Sequence, residues 1–193
     1  MRKHSFGFWR KDLKYTEVVL LPLAEDDREA FILDNQYAFK YGAKIDEAEM
    51  KSMEGEDGQI ISRQTIESSI DAEGAETYRI FADGRKVGGA VLKIDRDTGH
   101  NHLDLLYVLP DAHGKGIGYG AWKAIEALYP DTKVWETCTP YADKRNIHFY
   151  VNKCGFQIVE FFHDLHSYSE REECDDFPDD GPDELFRFIK KMK

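Results

Sequence analysis

The chain has 193 residues, with 26 Lys and Arg against 37 Asp and Glu, 41% hydrophobic, 13% aromatic and 33% charged, a profile that excludes a disordered or collagen-like chain. The net charge of −11 at pH 7 argues against a nucleic-acid partner, because phosphate-backbone binding needs Lys and Arg to displace counterions. A cationic or small neutral substrate suits it better, and a chain of this length buries roughly 70% of its unfolded surface, enough for one core.

Cys138, Cys154 and Cys174 are odd in number and lack CxxC spacing, so they indicate neither a disulfide framework nor a metal site, and a reducing cytoplasm is the expected compartment. The longest apolar run, Val18 to Ala24, contains Pro22 and meets Glu25, Asp26 and Asp27. It is too short for a membrane span and wrongly flanked for a signal peptide.

In chain order, residues 1–16 form a basic extension and 17–193 a single domain. Glu17 to Leu23 reads as a strand, and the acids after it suit the start of a helix from about Glu25 to Tyr41. Gly42, Gly55 and Gly58 punctuate a weaker helical stretch, and Ser62 is placed to cap a short helix reaching about Ile70. Glu76 to Ala82 and Arg85 to Ile94 are β-rich runs joined by Asp83-Gly84, a dipeptide suited to a tight hairpin turn. His102 to Val108 is a third strand of this group. A helical period then runs through Gly114 to Tyr129 and stops at Pro130. Lys133 to Cys138 is a strand, Asp143 to Lys153 a helix closed by Gly155, and Phe156 to Phe162 and Leu185 to Met192 are the last strands. Between these two, residues 164–184 hold ten acids and one Arg, which reads as a solvated loop. Counted from Asp176, a calcium loop would place Pro178 and Arg187 where oxygen ligands are needed.

The informative segment is His113-Gly114-Lys115-Gly116-Ile117-Gly118, between a strand and a helix. Glycines there let backbone amides approach an anion, and the bare amides and dipole of a helix start favour negative charge, as of a pyrophosphate. The Walker spacing is absent, and a dinucleotide GxGxxG would need glycine where Tyr119 stands. A glycine-rich connection that merely packs tightly is the alternative.

This segment resembles the fingerprint Arg/Gln-x-x-Gly-x-Gly/Ala of the GNAT superfamily of acyl-CoA-dependent N-acetyltransferases, with His113 in the first place. The family's second signature, Asn-x-x-Ala-x-x-Phe/Leu-Tyr-x-x-x-Gly-Phe, is similar to the run from Asp143 to Phe156, where Tyr150, Gly155 and Phe156 agree, Asp143 replaces Asn and Asn146 replaces Ala. The resemblance implies a mixed α/β (α+β) domain, a twisted and mostly antiparallel sheet flanked by helices, that moves an acetyl group from acetyl-CoA to a primary amine of a small molecule or peptide in a ternary complex. It also allows a homodimer, as is common among relatives. No metal, nucleic acid or membrane enters. A non-catalytic acyl-CoA-binding module is the rival, for which the departures at His113 and Asp143 speak.

By the same resemblance, Tyr107, Val108 and Leu109 offer backbone groups to pantetheine, with an amide such as that of Val108 near the thioester carbonyl. His113, Gly114, Lys115, Gly116, Ile117 and Gly118 hold the pyrophosphate. Asn146 replaces the usual pantetheine contact, and Tyr150 protonates the departing thiolate. An alkylamine with pKa about 10.4 is only about 0.04% neutral at pH 7, so a base is required. His102, on a strand face expected to carry Asp104, Leu106 and Val108 too, stands eleven residues before His113, where some relatives carry a catalytic Glu. Glu136 on the next strand competes for the role. The bland alternatives are a polar surface histidine at 102 and a core aromatic at 150. Cys138 and Cys154 lack a His/Asp pairing and read as packing residues. Asp34 to Tyr37, Tyr41 and Thr139 to Tyr141 are expected to rim the acceptor.

Overall fold

The computed structural model describes residues 17–43, 58–163, 166 and 184–193. The basic extension, residues 44–57 and nearly all of the acidic loop therefore lie outside the described residues. Seven strands form one sheet: β1 (Val18–Pro22), β2 (Ala75–Ala82), β3 (Arg85–Lys93), β4 (His100–Val108), β5 (Val134–Pro140), β6 (Gln157–Phe162) and β7 (Leu185–Lys191), in the order β1-β2-β3-β4-β5-β7-β6. All neighbours are antiparallel except β4 and β5. The expected fold class is the observed one.

Local chemistry sets the elements. Asp83 and Gly84 both have positive φ, 51° and 74°, which turns β2 into β3 in two residues with the twist a hairpin needs. Helix α1 (Arg28–Ala43) follows a short 3-10 turn at Glu25–Asp27. Helix α2 (Arg63–Asp71) is capped as its sequence predicts, Ser62 Oγ accepting the Thr65 amide at 3.0 Å. Helix α3 (Ile117–Leu128) presses onto β1, with Val18 2.8 Å from where a Cβ on Gly120 would stand. Helix α4 (Lys144–His148) is not the regular helix expected to Lys153: it widens into a π-turn at Phe149–Cys154 that Gly155 ends at φ 81°.

The core has two main layers. On one sheet face Phe31, Ile32 and Ile66 of α1 and α2 pack on Val91, Leu105 and Tyr107. On the other, Trp122 and Ile125 of α3 pack with Leu103, Trp135, Tyr150, Phe156 and Phe188. Leu103 and Leu106 share this second face although three residues apart. The cause is a β-bulge: Leu92 pairs with Leu103 and Val91 with Leu105, leaving Asp104 as an extra residue. The expectation that His102, Asp104, Leu106 and Val108 share a face is thereby corrected. His102 and Asp104 lie on the α1/α2 side, and Leu106 and Val108 on the α3 side.

Candidate active site

Strand β4 pairs with β5 over three residues only, His100 with Val134, Asn101 with Trp135 and His102 with Glu136. Beyond His102 the two strands part, and a cleft opens between Leu103–Val108 and Thr137–Pro140. Thr137 Oγ1 closes its apex by donating to the Leu103 carbonyl at 2.8 Å. The direction of each β4 amide follows from its neighbours. Leu109 N donates to Val87 O at 2.8 Å, and the Tyr107 carbonyl faces Gly88, so these two residues turn their backbone toward β3. Alternation along the strand turns Leu106 and Val108 toward the cleft.

At the mouth of the cleft stands the start of α3. Gly114 and Gly116 have φ of 76° and 75°, with no atom within 4 Å of a built Cβ, and no side chain caps the helix. The amides of Ile117, Gly118 and Tyr119 precede the first intrahelical bond, which Gly120 N makes to Gly116 O at 2.9 Å. A Cβ on Gly118 would lie 3.5 Å from Phe149 and 3.7 Å from Val108, so this glycine brings helix and strand together. An acyl-CoA fits such a site: three bare amides for the pyrophosphate and a strand edge for the pantetheine. Lys115 donates to the Asp111 carbonyl.

His113 uses its ring inside the protein. Arg145 of α4 donates to Nδ1 at 3.3 Å, so Nδ1 carries no proton, and Nε2–H donates to the Val108 carbonyl at 2.7 Å. Burial pushes its pKa down and the neighbouring Arg145 adds to this, outweighing the Val108 bond, so the ring is neutral. His113 thus ties β4 to α4 across the cleft mouth. Asp143 is the N-cap of α4, its Oδ1 accepting the Asn146 amide at 2.9 Å, and Asn146 is half-buried.

Tyr150 is buried in the α3-side core, with its hydroxyl near Thr137 at the apex. Burial drives its pKa well above the ordinary tyrosine value, with neighbouring Thr137 only partly offsetting this, so the phenol keeps its proton. Along β4, Leu106 stands closer than Val108 to Leu103 and the apex. Leu106 is the nearer residue with a cleft-facing amide. Tyr107, expected at the cofactor, is turned away: its ring packs on Phe31 and its hydroxyl accepts from Arg79 at 2.9 Å. Leu109 is likewise engaged, by Val87 and by the Ala112 amide.

His102 and Glu136 are neighbours across the last β4–β5 pair, on the α1/α2 side. Glu136 is held by Arg187 through two bonds of 2.6 and 2.7 Å and by His100 at 3.2 Å. Burial raises its pKa, but the Arg187 bonds outweigh this and set it below the ordinary carboxylate range. His102 is less engaged, its Nδ1 3.6 Å from Asp104. Around the expected rim, Asp34 accepts from Arg79, Tyr41 packs on the His113 ring, and Tyr141 on Phe161 and Phe186. Burial pushes the Cys154 thiol up to about 12, in keeping with a packing role. Thr137, Leu106 and Arg145 were not singled out from sequence, and Thr137 stands there beside Glu136 and a second threonine, Thr139, with nothing to mark it.

Residues 42–156 match the acetyltransferase (GNAT) family. The chain belongs to that family. Among its relatives, the uncharacterized protein YrkN of Bacillus subtilis (strain 168) is 55% identical over 141 residues, 72% of this chain and 76% of that protein. The GNAT fold seen here is similar to that of the ribosomal-protein-S18-alanine N-acetyltransferase from Escherichia coli, with TM-score 0.62, 13% identity and coverage of 91% of this chain and 94% of that one. It is also similar to a Bacillus subtilis acetyltransferase in complex with CoA, with TM-score 0.56, 19% identity and coverage of 92% and 99%. A chimera of spermidine N-acetyltransferase SpeG from Vibrio cholerae and hSSAT gives TM-score 0.60, 14% identity and coverage of 91% and 96%. At these identities the likeness to the solved structures is one of fold. No described helix of this GNAT chain is long and apolar enough to cross a membrane.

Proposed function

We propose that the protein is an N-acetyltransferase, moving an acetyl group from acetyl-CoA to a primary amine of a small molecule or peptide by direct transfer in a ternary complex. The observation that carries this reading is the placing of Tyr150 and His102. Both stand at the level where β4 and β5 part, Tyr150 from the α3 side of the sheet and His102 from the α1/α2 side. A proton donor for the sulfur and an acceptor for the amine proton then flank one point from opposite faces, which suits attack on one side of the thioester and departure on the other.

The α3 start at Gly114–Gly118 holds the pyrophosphate, and the Val108 amide binds the pantetheine arm. Leu106 N–H donates to the carbonyl oxygen as it takes on negative charge, in preference to Val108, because it lies nearer along β4 to the apex at Leu103 and Thr137. His102 receives the amine proton directly or through water. Its rival Glu136 is a weaker base, stabilised as an anion by Arg187. Tyr150 gives its proton to the departing thiolate and is restored from solvent.

Release of CoA thiol is measured with acetyl-CoA and a panel of primary amines including spermidine and a lysine peptide, with the mass of the product. Tyr150→Phe is expected to lower turnover about 100-fold while the Kd for acetyl-CoA stays within about twofold. Unchanged turnover rejects the acid role, and tight binding without CoA release for any amine favours the non-catalytic module.

A further inference from the structure

His102 and Asp104 stand side by side on the α1/α2 side of β4, next to the bulge. Their side chains are 8% and 19% exposed, and Asp104 Oδ1 stands 3.6 Å from His102 Nδ1. His102 Nδ1 and the other Asp104 oxygen, Oδ2, are both sealed from water and have no hydrogen-bond partner among the described residues. Ser69 of α2 is a close polar neighbour of Asp104. We propose that Asp104 is a positioning residue that holds His102 as the Nδ1–H tautomer and so presents the Nε2 lone pair to the acceptor amine. The inference rests on the reading of His102 as the base.

A proton on Nε2 would leave the Nδ1 lone pair facing a carboxylate with no water between them. Moving it to Nδ1 turns repulsion into attraction, and a small rotation of the ring completes the hydrogen bond. Burial raises the pKa of Asp104, but His102 and Ser69 outweigh it, so the carboxylate is charged at neutral pH. Lys93 on β3 and Glu136 on β5 flank His102 in register, and Arg187 and His100 engage Glu136. As the C–N bond forms and the C–S bond breaks, the amine proton passes to His102 Nε2 and the Tyr150 proton to sulfur. Asp104 keeps its charge and balances the imidazolium until solvent takes the extra proton.

The test reads the tautomer of His102 directly, by long-range proton–nitrogen NMR of its ring, assigned by the signal lost in His102→Gln. This readout needs no acceptor. The expected result is Nδ1–H in the wild type and Nε2–H in Asp104→Asn. With it, CoA release from acetyl-CoA and spermidine falls about 10- to 100-fold, and the Kd for acetyl-CoA is held within about twofold. Ser69→Ala, a milder change that leaves the carboxylate in place, retains the Nδ1–H form and loses less than about tenfold. A wild-type Nε2–H signal, or a tautomer that ignores Asp104→Asn, overturns the inference. A tautomer that follows Asp104 while His102→Gln releases CoA at the wild-type rate instead overturns the base reading on which it rests.

Discussion

Arg79 is a guanidinium only 2% exposed in the middle of β2, and its surroundings explain why it is tolerated. It donates to Asp27 at 2.8 Å, to Asp34 at 2.7 Å and to the Tyr107 hydroxyl at 2.9 Å, and it lies over the Phe31 ring. The group anchors the start of α1 to the sheet, and nothing in the run Thr77-Tyr-Arg-Ile-Phe81 marks it in advance. Burial raises the pKa of Asp27, but hydrogen bonds from Arg79 and Lys86 outweigh this and hold it below the ordinary 3.8. The sign follows: a depressed folded value contributes stability above the unfolded pKa and loses it as pH falls through the folded one. Urea unfolding is expected to show a midpoint that drops between pH 6 and pH 3, less steeply in Asp27→Asn; parallel slopes would contradict the assignment. Other site residues were easier to see. Tyr150 and the glycines stand in recognisable positions, whereas the clamp made by His113 depends on an Arg145 32 residues away, a pairing only the fold creates.

At the scale of elements, strands and turns were legible because their signals are local: alternation, Asp83-Gly84, a capping Ser62. Two irregularities were not. The bulge at Asp104 reverses the face of half of β4, and it is fixed by register against Val91 and Leu92 rather than by residues of β4 itself. The π-turn at Phe149–Cys154 carries the tyrosine at its first full turn, and its apolar sequence fits a regular helix equally well. Strand β3 adds a third case. A Cβ on Gly89 would lie 2.3 Å from the Phe31 ring and 2.7 Å from that of Tyr107, so this glycine is where α1 sits down on the sheet. Gly89→Ala is expected to cost about 1–3 kcal/mol in urea denaturation through overpacking. A variant as stable as the wild type would show that the two rings give way.

For the whole molecule, the order of elements and the two signatures carry the sheet flanked by helices and point to the start of α3 as an anion-binding loop. The divergence of β4 from β5 is a long-range property, set by which strands pair and for how long, and so is the meeting of His102 and Tyr150 at one level. Both give the cleft two sides: an α3 side where backbone amides and glycines suit an anionic acyl-CoA, and an α1/α2 side where His102, Asp104 and Glu136 suit an amine. The measurement that bears most directly on this account is calorimetric titration with acetyl-CoA of the wild type and of Gly116→Trp. Gly116 has open space around it, so an indole there fills the cradle rather than the core, at a backbone cost of about 1–2 kcal/mol from its positive φ. Saturable binding to the wild type that the folded variant lacks is the predicted result. Absence of binding to the wild type, or equal affinity in the variant, would contradict the placing of acetyl-CoA at the start of α3.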